Sequence, residues 1–302
     1  MHVSEQDNKR QFSIRDAVMT APRLEPALYL VATPIGNLGD ITIRALETLA
    51  GADIVACEDT RVTRVLLERY GMRRRMTAYH EHNATEAGPK LLNAIEGGQS
   101  VALASDAGTP LISDPGFRLV SQAQERGLRV VPIPGASAVL AALTASGLPT
   151  DAFLFAGFLP NRSGQRESRL SELATSPATL VFFESPRRLA ASLAAMASLL
   201  GEERQAVVAR ELTKTFEEVR AGSLAELAEH YEAAGAPKGE VVVCVAPPLA
   251  EKTFDAADTD RLLLSLAGEM SAAKAAGEAA RMTGAKKSTL YQRLLELKDA
   301  AG

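Results

Sequence analysis

Two loops rich in small residues each follow an apolar run that predicts a buried strand. The sequence ATPIGN (residues 32–37) follows the run at residues 28–31, and SDAGTP (residues 105–110) follows the run at residues 101–104. Ligands of open α/β sheets bind just beyond the carboxyl ends of the strands, and small residues let a ligand approach the backbone. The two loops together predict a small-molecule site, and the alternative is a pair of ordinary tight turns.

Charged side chains follow the strand that the apolar run at residues 53–57 predicts. Glu58, Asp59 and Arg61 come directly after it. Carboxylates at a strand end can act as general acids or bases, and an arginine there can hold a phosphate. The same residues could instead begin a helix with Asp59 as its N-cap. Glu58 and Asp59 are therefore candidate catalytic residues, and Arg61 is a candidate substrate contact.

The segment from residue 61 to residue 75 carries six arginines and one acid, Glu68. Such a segment can bind phosphates through charge and bidentate hydrogen bonds, and the alternative is a solvated helix face. A polar group follows it, and we predict that this group stacks on a nucleic-acid base and hydrogen-bonds to it. Its members are Tyr79, His80, His82 and Asn83. A polar loop before a helix is the alternative for these residues.

Two more charged groups follow apolar runs in the second half of the chain. Glu184 is followed by Arg187 and Arg188. Arginines at the start of a helix oppose its dipole, so we predict that both face a substrate. Lys214 ends the segment RELTK, in which acids and bases alternate. Glu184 and Lys214 join the candidate catalytic residues, and exposed ion pairs of little energetic weight are the alternative.

The pattern of apolar runs predicts an α/β scaffold for these residues. From residue 28 to about residue 147 short strands alternate with amphipathic helices, which is typical of a parallel sheet, and Asp114 predicts a helix N-cap. From residue 151 strand-like runs outnumber helical stretches and predict a second, mixed sheet. The predicted parts are a mobile tail at residues 1–26, an N-terminal α/β domain at 27–148, a second α/β domain at 149–248 and a helical segment at 249–302.

The helical segment has the pattern of a helix-turn-helix. Leu290, Leu294 and Leu297 share one helix face, and Gly284 is placed to make the turn between two helices. Lys286 and Lys287 then stand at the start of the second helix, where we predict that they bind nucleic acid. A small helical bundle that caps the second domain is the alternative.

Composition limits the classes of protein that the chain can belong to. Its 302 residues carry a net charge of −4, which excludes a wholly basic nucleic-acid binder. Cys57 and Cys244 lie in apolar runs, which predicts buried, reduced thiols and a cytoplasmic protein. The sequence shows no apolar run of membrane-spanning length, no zinc-type spacing and no dinucleotide, P-loop or nucleophile-elbow motif. We therefore expect no metal and no membrane contact.

Read in order, the motifs resemble those of the tetrapyrrole-methylase superfamily. The segments that carry the resemblance are ATPIGNLGDITIRALETL, ACEDTR, SDAGTPLISDPG, PIPGASA, FFESPRR, RELTK and KGEVVV. The chain is most similar to the branch that methylates the ribose 2′-hydroxyl of a cytidine in small-subunit (16S) ribosomal RNA. Its loop ATPIGN departs from the GPG form of the porphyrin-modifying members, which weighs against a tetrapyrrole substrate.

The resemblance implies a methyltransferase that uses S-adenosylmethionine, held in the cleft between the two α/β domains. It also implies a homodimer whose partner is small-subunit ribosomal RNA in the assembled subunit. The residues that it assigns to the cofactor are Pro34, Gly36, Asn37, Ser105, Asp106, Ala107, Gly108, Gly135, Ala136, Ser137, Phe183, Glu184, Leu212 and Gly239. Two alternatives stay open: a family member that methylates a small molecule or a protein side chain, and a ligand-gated helix-turn-helix regulator.

Overall fold

The computed structural model describes residues 10–114, 116–248 and 256–299. The chain divides into two compact units, Met1–Pro248 and Leu249–Gly302. Among the described residues no helix is both long and apolar enough to cross a membrane.

A short antiparallel hairpin replaces part of the predicted mobile tail. Strands β1 (Gln11–Ile14) and β2 (Ala17–Thr20) pair with each other, and Phe12 is only 1% exposed within the main core. The prediction of a tail is therefore wrong for residues 11–20, because one buried aromatic side chain fixes the hairpin to the rest of the unit. Residues 1–9 lie outside the described residues.

The first sheet is parallel, as the alternating pattern predicts. Its strands are β3 (Leu28–Val31), β4 (Ile54–Cys57), β5 (Met76–Ala78), β6 (Val101–Ala104) and β7 (Val130–Ile133), in the order β5-β4-β6-β3-β7. Its helices are α1 (Ile43–Gly51), α2 (Thr60–Arg69), α3 (Ala84–Glu96), α4 (Phe117–Glu125) and α5 (Ala138–Ala145). Successive side chains of a strand point to opposite faces of the sheet. Because the strand residues are mostly apolar, both faces of this sheet are apolar, and each packs against helices in its own core cluster.

The second sheet is mixed, again as predicted. Its strands are β8 (Phe153–Phe158), β9 (Thr179–Glu184), β10 (Gln205–Arg210), β11 (Glu218–Ser223) and β12 (Val241–Val245), in the order β11-β10-β12-β9-β8. Only β8 and β9 run parallel. Its helices are α6 (Ser163–Leu173), α7 (Leu189–Leu200) and α8 (Leu224–Ala234), the last begun by a capping box between Ser223 and Glu226.

One apolar cluster joins the two sheets into a single unit. It contains Ile35 from the loop after β3, Val139 and Leu143 from α5, and Val181 and Val242 from the second sheet. The boundary predicted near residue 148 therefore marks a change of sheet and does not separate two independent cores.

The described part of the second unit is helical. It consists of α9 (Ala256–Glu269), α10 (Ala272–Thr283) and α11 (Lys287–Asp299). Leu290 and Leu294 lie in its core with Ala279, and Gly284 ends α10 in the left-handed conformation that the turn requires. The helical segment is thus observed from residue 256 to residue 299.

Candidate cofactor site

Backbone hydrogen bonds join the two strand-end loops that open the sequence analysis. Strands β3 and β6 are neighbours, and beyond them Thr33 N donates to Gly108 O at 2.9 Å while Gly108 N donates to Thr33 O at 3.0 Å. The Thr33 hydroxyl also donates to Ser105 O at 2.9 Å. The loops therefore form one structure at the carboxyl edge of the parallel sheet, as expected of a ligand site in this class of fold.

A cavity of about 470 Å³ lies between this edge and the second sheet, within the size range of small-molecule sites. The predicted cofactor residues that line it are Ala107, Gly108, Ser137, Phe183, Glu184 and Gly239. Ile35 and Val139 add apolar wall, and Asp114 and Glu240 add carboxylates.

The other predicted cofactor residues do not line the cavity and instead hold its loops. They are Pro34, Gly36, Asn37, Ser105, Asp106, Gly135, Ala136 and Leu212. Asn37 caps a 3-10 turn through a 3.0 Å bond from Gly39 N, and Ala136 O accepts from Thr109 Oγ1 at 3.2 Å. Leu212 is buried in the cluster that joins the two sheets. Their predicted contact with a cofactor stays a prediction, and the observed contacts belong to the loops around the cavity.

Asp114 is a site residue that the sequence analysis misassigned. The N-cap of α4 is Gly116, so Asp114 does not cap that helix. Its carboxylate instead accepts a hydrogen bond from the Ser105 hydroxyl. Burial raises the pKa of Asp114 despite that bond, and the charge of Asp106 raises it further. The sequence signal was its place in SDAGTPLISDPG, the longest loop motif after a strand.

Glu58 and Asp59 have opposite electrostatic environments. Glu58 is exposed as a residue, but partial burial of its carboxyl raises its pKa, and the charges of Asp106 and Asp114 raise it further. The Arg61 guanidinium and backbone hydrogen bonds lower the pKa of Asp59 to about 2. Asp59 also caps α2, with its carboxylate 2.8 Å from Arg61 N. Asp59 is therefore a poor base, and Arg61 is held by Asp59 at 2.6 Å, which counts against its predicted substrate contact.

Lys214 joins two carboxylates through ion pairs and is not a base. Its ammonium lies 2.7 Å from Glu211 Oε1 and 3.0 Å from Glu240 Oε2, and its alkyl stem covers Gly36 so closely that a Cβ there would collide with it. Burial lowers the pKa of Lys214, but its bonds to both carboxylates outweigh that effect and leave the pKa raised. A lysine held as a cation cannot accept a proton, so its candidacy as a base was wrong.

We expect Lys214→Met to loosen this bridge. The change removes hydrogen bonds between charged groups, a loss of roughly 1–3 kcal/mol in the free energy of unfolding. The melting temperature falls, and the affinity for cofactor falls with it because Gly36 and Glu240 lose their common contact. Lys238→Met is the matched control, since Lys238 is exposed in the loop before β12, next to Gly239 and Glu240, and forms no ion pair within the described residues. Equal melting temperatures for the two variants would contradict the bridge.

The side chains of Glu184 and Arg188 form hydrogen bonds within the protein. Glu184 is 3% exposed, and it accepts hydrogen bonds from Ser192 Oγ at 2.5 Å and from Ser185 N at 2.7 Å. Arg188 donates to Asn161 Oδ1 and to Leu159 O, both at 2.6 Å. The predicted substrate contact of Arg188 is therefore wrong, and Glu184 is better placed to shape the cavity wall than to take a proton. Arg187 is exposed, and its role stays a prediction.

The predicted base-stacking group is only partly available. Tyr79 is 1% exposed in the core beneath α3 and α4, so it cannot stack on a base. Asn83 bonds to Ala78 O at 2.9 Å and to His80 N at 2.8 Å, which closes a turn. The predictions for Tyr79 and Asn83 were wrong because α3 and α4 cover the Tyr79 ring and because the Asn83 amide is used to close the turn before α3. His80, partly buried, and His82, exposed, stay predictions, as do the exposed Lys286 and Lys287.

The fold and site identify the class of protein. The model of the family "Tetrapyrrole (Corrin/Porphyrin) Methylases" matches residues 27–228, and the model "RsmI C-terminal HTH domain" matches residues 253–298. The chain therefore belongs to the tetrapyrrole methylase family. Within the described residues no group of three or more histidine, cysteine or acidic side chains is placed to hold a metal ion.

The relatives with similar sequences share one name. The chain is 73% identical over 279 residues to "Ribosomal RNA small subunit methyltransferase I" of Mesorhizobium japonicum, covering 92% of this chain and 95% of that protein. It is 49% identical over 273 residues to the protein of the same name in Pseudomonas aeruginosa, covering 89% and 96%.

Two solved structures share the fold. A cobalt precorrin-4 methyltransferase aligns with a TM-score of 0.56 at 19% identity, covering 73% of this chain and 95% of that one. A diphthine synthase aligns with a TM-score of 0.57 at 18% identity, covering 72% and 89%.

The cofactor of this family is S-adenosylmethionine, and the described side chains fit it. Gly108 has φ +80° and no side chain, so a ligand can reach the loop backbone. Phe183 lies edge-on to Phe155 and Phe158, with ring centroids 4.8 Å and 5.6 Å away, which gives an aromatic wall for a flat base. The carboxylates of Asp114 and Glu240 line the cavity and are opposite in charge to the sulfonium and ammonium groups of S-adenosylmethionine.

Proposed function

We propose that this protein transfers the methyl group of S-adenosylmethionine to the ribose 2′-hydroxyl of a cytidine in small-subunit ribosomal RNA. The observation that carries the proposal is the 73% identity to a ribosomal RNA small subunit methyltransferase over nearly the full length of both chains. The cavity between the two sheets is the site of the reaction, and its loops are the ones that carry the sequence resemblance.

The reaction needs positioning and a group that handles the proton of the hydroxyl. Bound S-adenosylmethionine supplies an electrophilic methyl group with a good leaving group. The protein must hold the hydroxyl in line with that methyl and exclude water. We assign the general base to Glu58, because Asp59, Glu184 and Lys214 are held by internal hydrogen bonds and ion pairs. Glu58 is exposed and borders Asp114, which lines the cavity.

A transfer assay tests the proposed function against its alternatives. The protein is incubated with methyl-labelled S-adenosylmethionine and, in parallel, naked 16S rRNA, purified small subunits or no RNA. We expect label in RNA at a cytidine 2′-O position, resistant to alkaline cleavage. Label in a small molecule or a protein would favour the other family activities. Cofactor binding without transfer to any acceptor would favour a ligand-gated regulator.

The proposed function also includes the form of the substrate, the oligomeric state of the enzyme and the compartment in which it works. The substrate is rRNA in the assembled small subunit, the enzyme is a homodimer and it works in the cytoplasm. The free, buried thiols of Cys57 and Cys244 are compatible with a reducing compartment. Comparison of naked rRNA with small subunits in the same assay, and light scattering of the purified protein, test the first two parts.

We expect a chain that ends at Pro248 to fold and to bind S-adenosylmethionine. That end falls at the boundary between the two compact units. Its KM for RNA should rise at least about tenfold with little change in kcat, because the helical unit would supply binding common to ground and transition states. Calorimetry with cofactor and steady-state methylation of small subunits measure both effects. Aggregation of the shortened chain, or full activity on small subunits, would contradict this expectation.

A further inference from the structure

The outer side of α2 and the loop after it form a strongly basic surface. We call it the arginine face and define it by Arg64, Arg73 and Arg74. Arg64, Arg73 and Arg74 border a hollow of about 810 Å³ that is separate from the cofactor cavity. Glu68 is the only acid among the described residues that line it.

The arginine face lies along and beyond α2, away from Glu58. Helix α2 begins just after the carboxyl end of β4, where Glu58 lies. The helix has ten residues and is therefore about 15 Å long. Arg73 to Arg75 directly precede the amino end of β5, which runs parallel to β4. A ligand that reaches from Glu58 to Arg73 must therefore span the length of α2, which is longer than one nucleotide.

The N-terminal hairpin supports the far end of this surface. Ser13 N donates to Tyr70 O at 2.8 Å, and a Cβ on Gly71 would lie 3.3 Å from Ser13 Oγ. Gly71 has φ +68°, so the turn that leads into Arg73 needs glycine. Leu67 and Met72 are buried beneath it in the core. The arginines are thus held on a rigid base, part of which lies outside the family match at residues 27–228.

Most of the charge on this face is not neutralised within the protein. Arg61 is paired with Asp59, whereas Arg64 and Arg73 of the arginine face form no ion pair with any described acid. Burial lowers the pKa of Arg74, and Asp53 offsets only part of that effect. An anion at the hollow would therefore stabilise the arginine face, and the guanidinium fork matches phosphate in geometry.

We propose that the arginine face binds the phosphate backbone of the RNA substrate, away from the nucleotide that is methylated. The proposal rests on the proposed function and adds where the RNA runs on this chain. Exposed guanidinium groups at Arg64 and Arg73, which border one hollow and have no ion pair with a described acid, fit a polymer that carries phosphate charge along its length. No aromatic residue stands among the residues of the hollow, so the surface lacks the anchors typical of a protein interface.

The test compares matched double variants in RNA binding. Arg64→Ala/Arg73→Ala removes two exposed arginines of the face, and Arg64→Lys/Arg73→Lys keeps the charge. Arg129→Ala/Arg162→Ala removes two exposed arginines elsewhere and is the control. The probe is fluorescent 16S rRNA transcribed in vitro, titrated at several salt concentrations. For the alanine variant we expect at least tenfold weaker binding and a salt slope smaller by about 1.5, from the loss of two phosphate contacts.

The remaining variants and readouts make the outcome decisive. The lysine variant should keep most of the slope, and the control should match the parent protein. The alanine variant should raise KM for RNA, with kcat and cofactor affinity unchanged. An unchanged slope and KM in that variant would overturn the proposal and leave an acidic protein as the better partner. RNA binding is measured without turnover, so the two proposals can fail separately. A protein that methylates no RNA would refute the proposed function, and the salt dependence of RNA binding would still decide whether the arginine face binds RNA.

Discussion

Gly108→Val abolishes measurable binding of S-adenosylmethionine. Gly108 has φ +80°, a conformation that strains any β-branched side chain, and a Cβ there would lie 3.3 Å from Ile35 Cγ2 in the cavity wall. The loop can relieve this strain only by giving up the paired hydrogen bonds between Gly108 and Thr33. That separation moves both strand-end loops, and calorimetry should show a loss of affinity of at least a hundredfold.

Gly98 provides a control that separates the effect of backbone strain from an effect on the cofactor site. Gly98 has φ +87° and nothing within 4 Å of a Cβ, so Gly98→Val carries the backbone penalty without disturbing the cavity. We expect Gly98→Val to lower the melting temperature and to keep its cofactor affinity. A Gly108→Val protein that shows a normal unfolding transition and binds cofactor with parental affinity would contradict this prediction. It would show that the paired hydrogen bonds between Thr33 and Gly108 are dispensable.

Glu58→Gln lowers kcat by about two orders of magnitude and leaves cofactor affinity unchanged. General-base catalysis typically contributes 10²–10⁴-fold, and glutamine cannot accept the proton. In the parent protein the rate falls as pH drops through the pKa of Glu58, because only the ionised carboxylate acts as a base. That pKa lies above its ordinary value, so the acid limb should lie at higher pH than for a solvated glutamate.

Two further variants separate a base from a structural carboxylate. Asp106→Asn removes a charge that raises the pKa of Glu58, while its side-chain oxygen can still accept from Asp59 N as Asp106 does at 3.0 Å. The acid limb should therefore move to lower pH. Glu86→Gln removes an exposed carboxylate on α3 that is not among the charges acting on Glu58, and it should keep the parental profile. A pH profile in Glu58→Gln that matches the parent protein would rule out this assignment.

The sequence was informative where local chemistry decides the structure. Apolar runs predicted the strands β3, β4, β6 and β12, and glycine and proline marked the loops that meet at Thr33 and Gly108. Strand β11 was missed because it is an edge strand with several polar residues and half of its residues exposed, so it has no apolar run. Strand β5, with three residues, is too short for a periodic signal.

Long-range pairing explains the remaining differences. Lys214 and Glu240 are 26 residues apart, and no local pattern could show that they share an ion pair. Asp114 has the residue type of a helix cap, but its partner is Ser105, nine residues earlier. Tyr79 looked like a polar loop residue because its burial depends on α3 and α4, which come later in the chain. Each error concerns a partner that folding supplies and that spacing does not.

The strand order also sets when the site can form during synthesis. Strands β3 and β6, which carry the paired loops, are neighbours in space but 73 residues apart from Leu28 to Val101. The far wall of the cavity, at Gly239 to Val242, is made last. A nascent chain without these residues has no closed pocket, and contacts of such long range make folding slow. Cofactor capture would therefore report that the first unit has been made and folded as far as Val242.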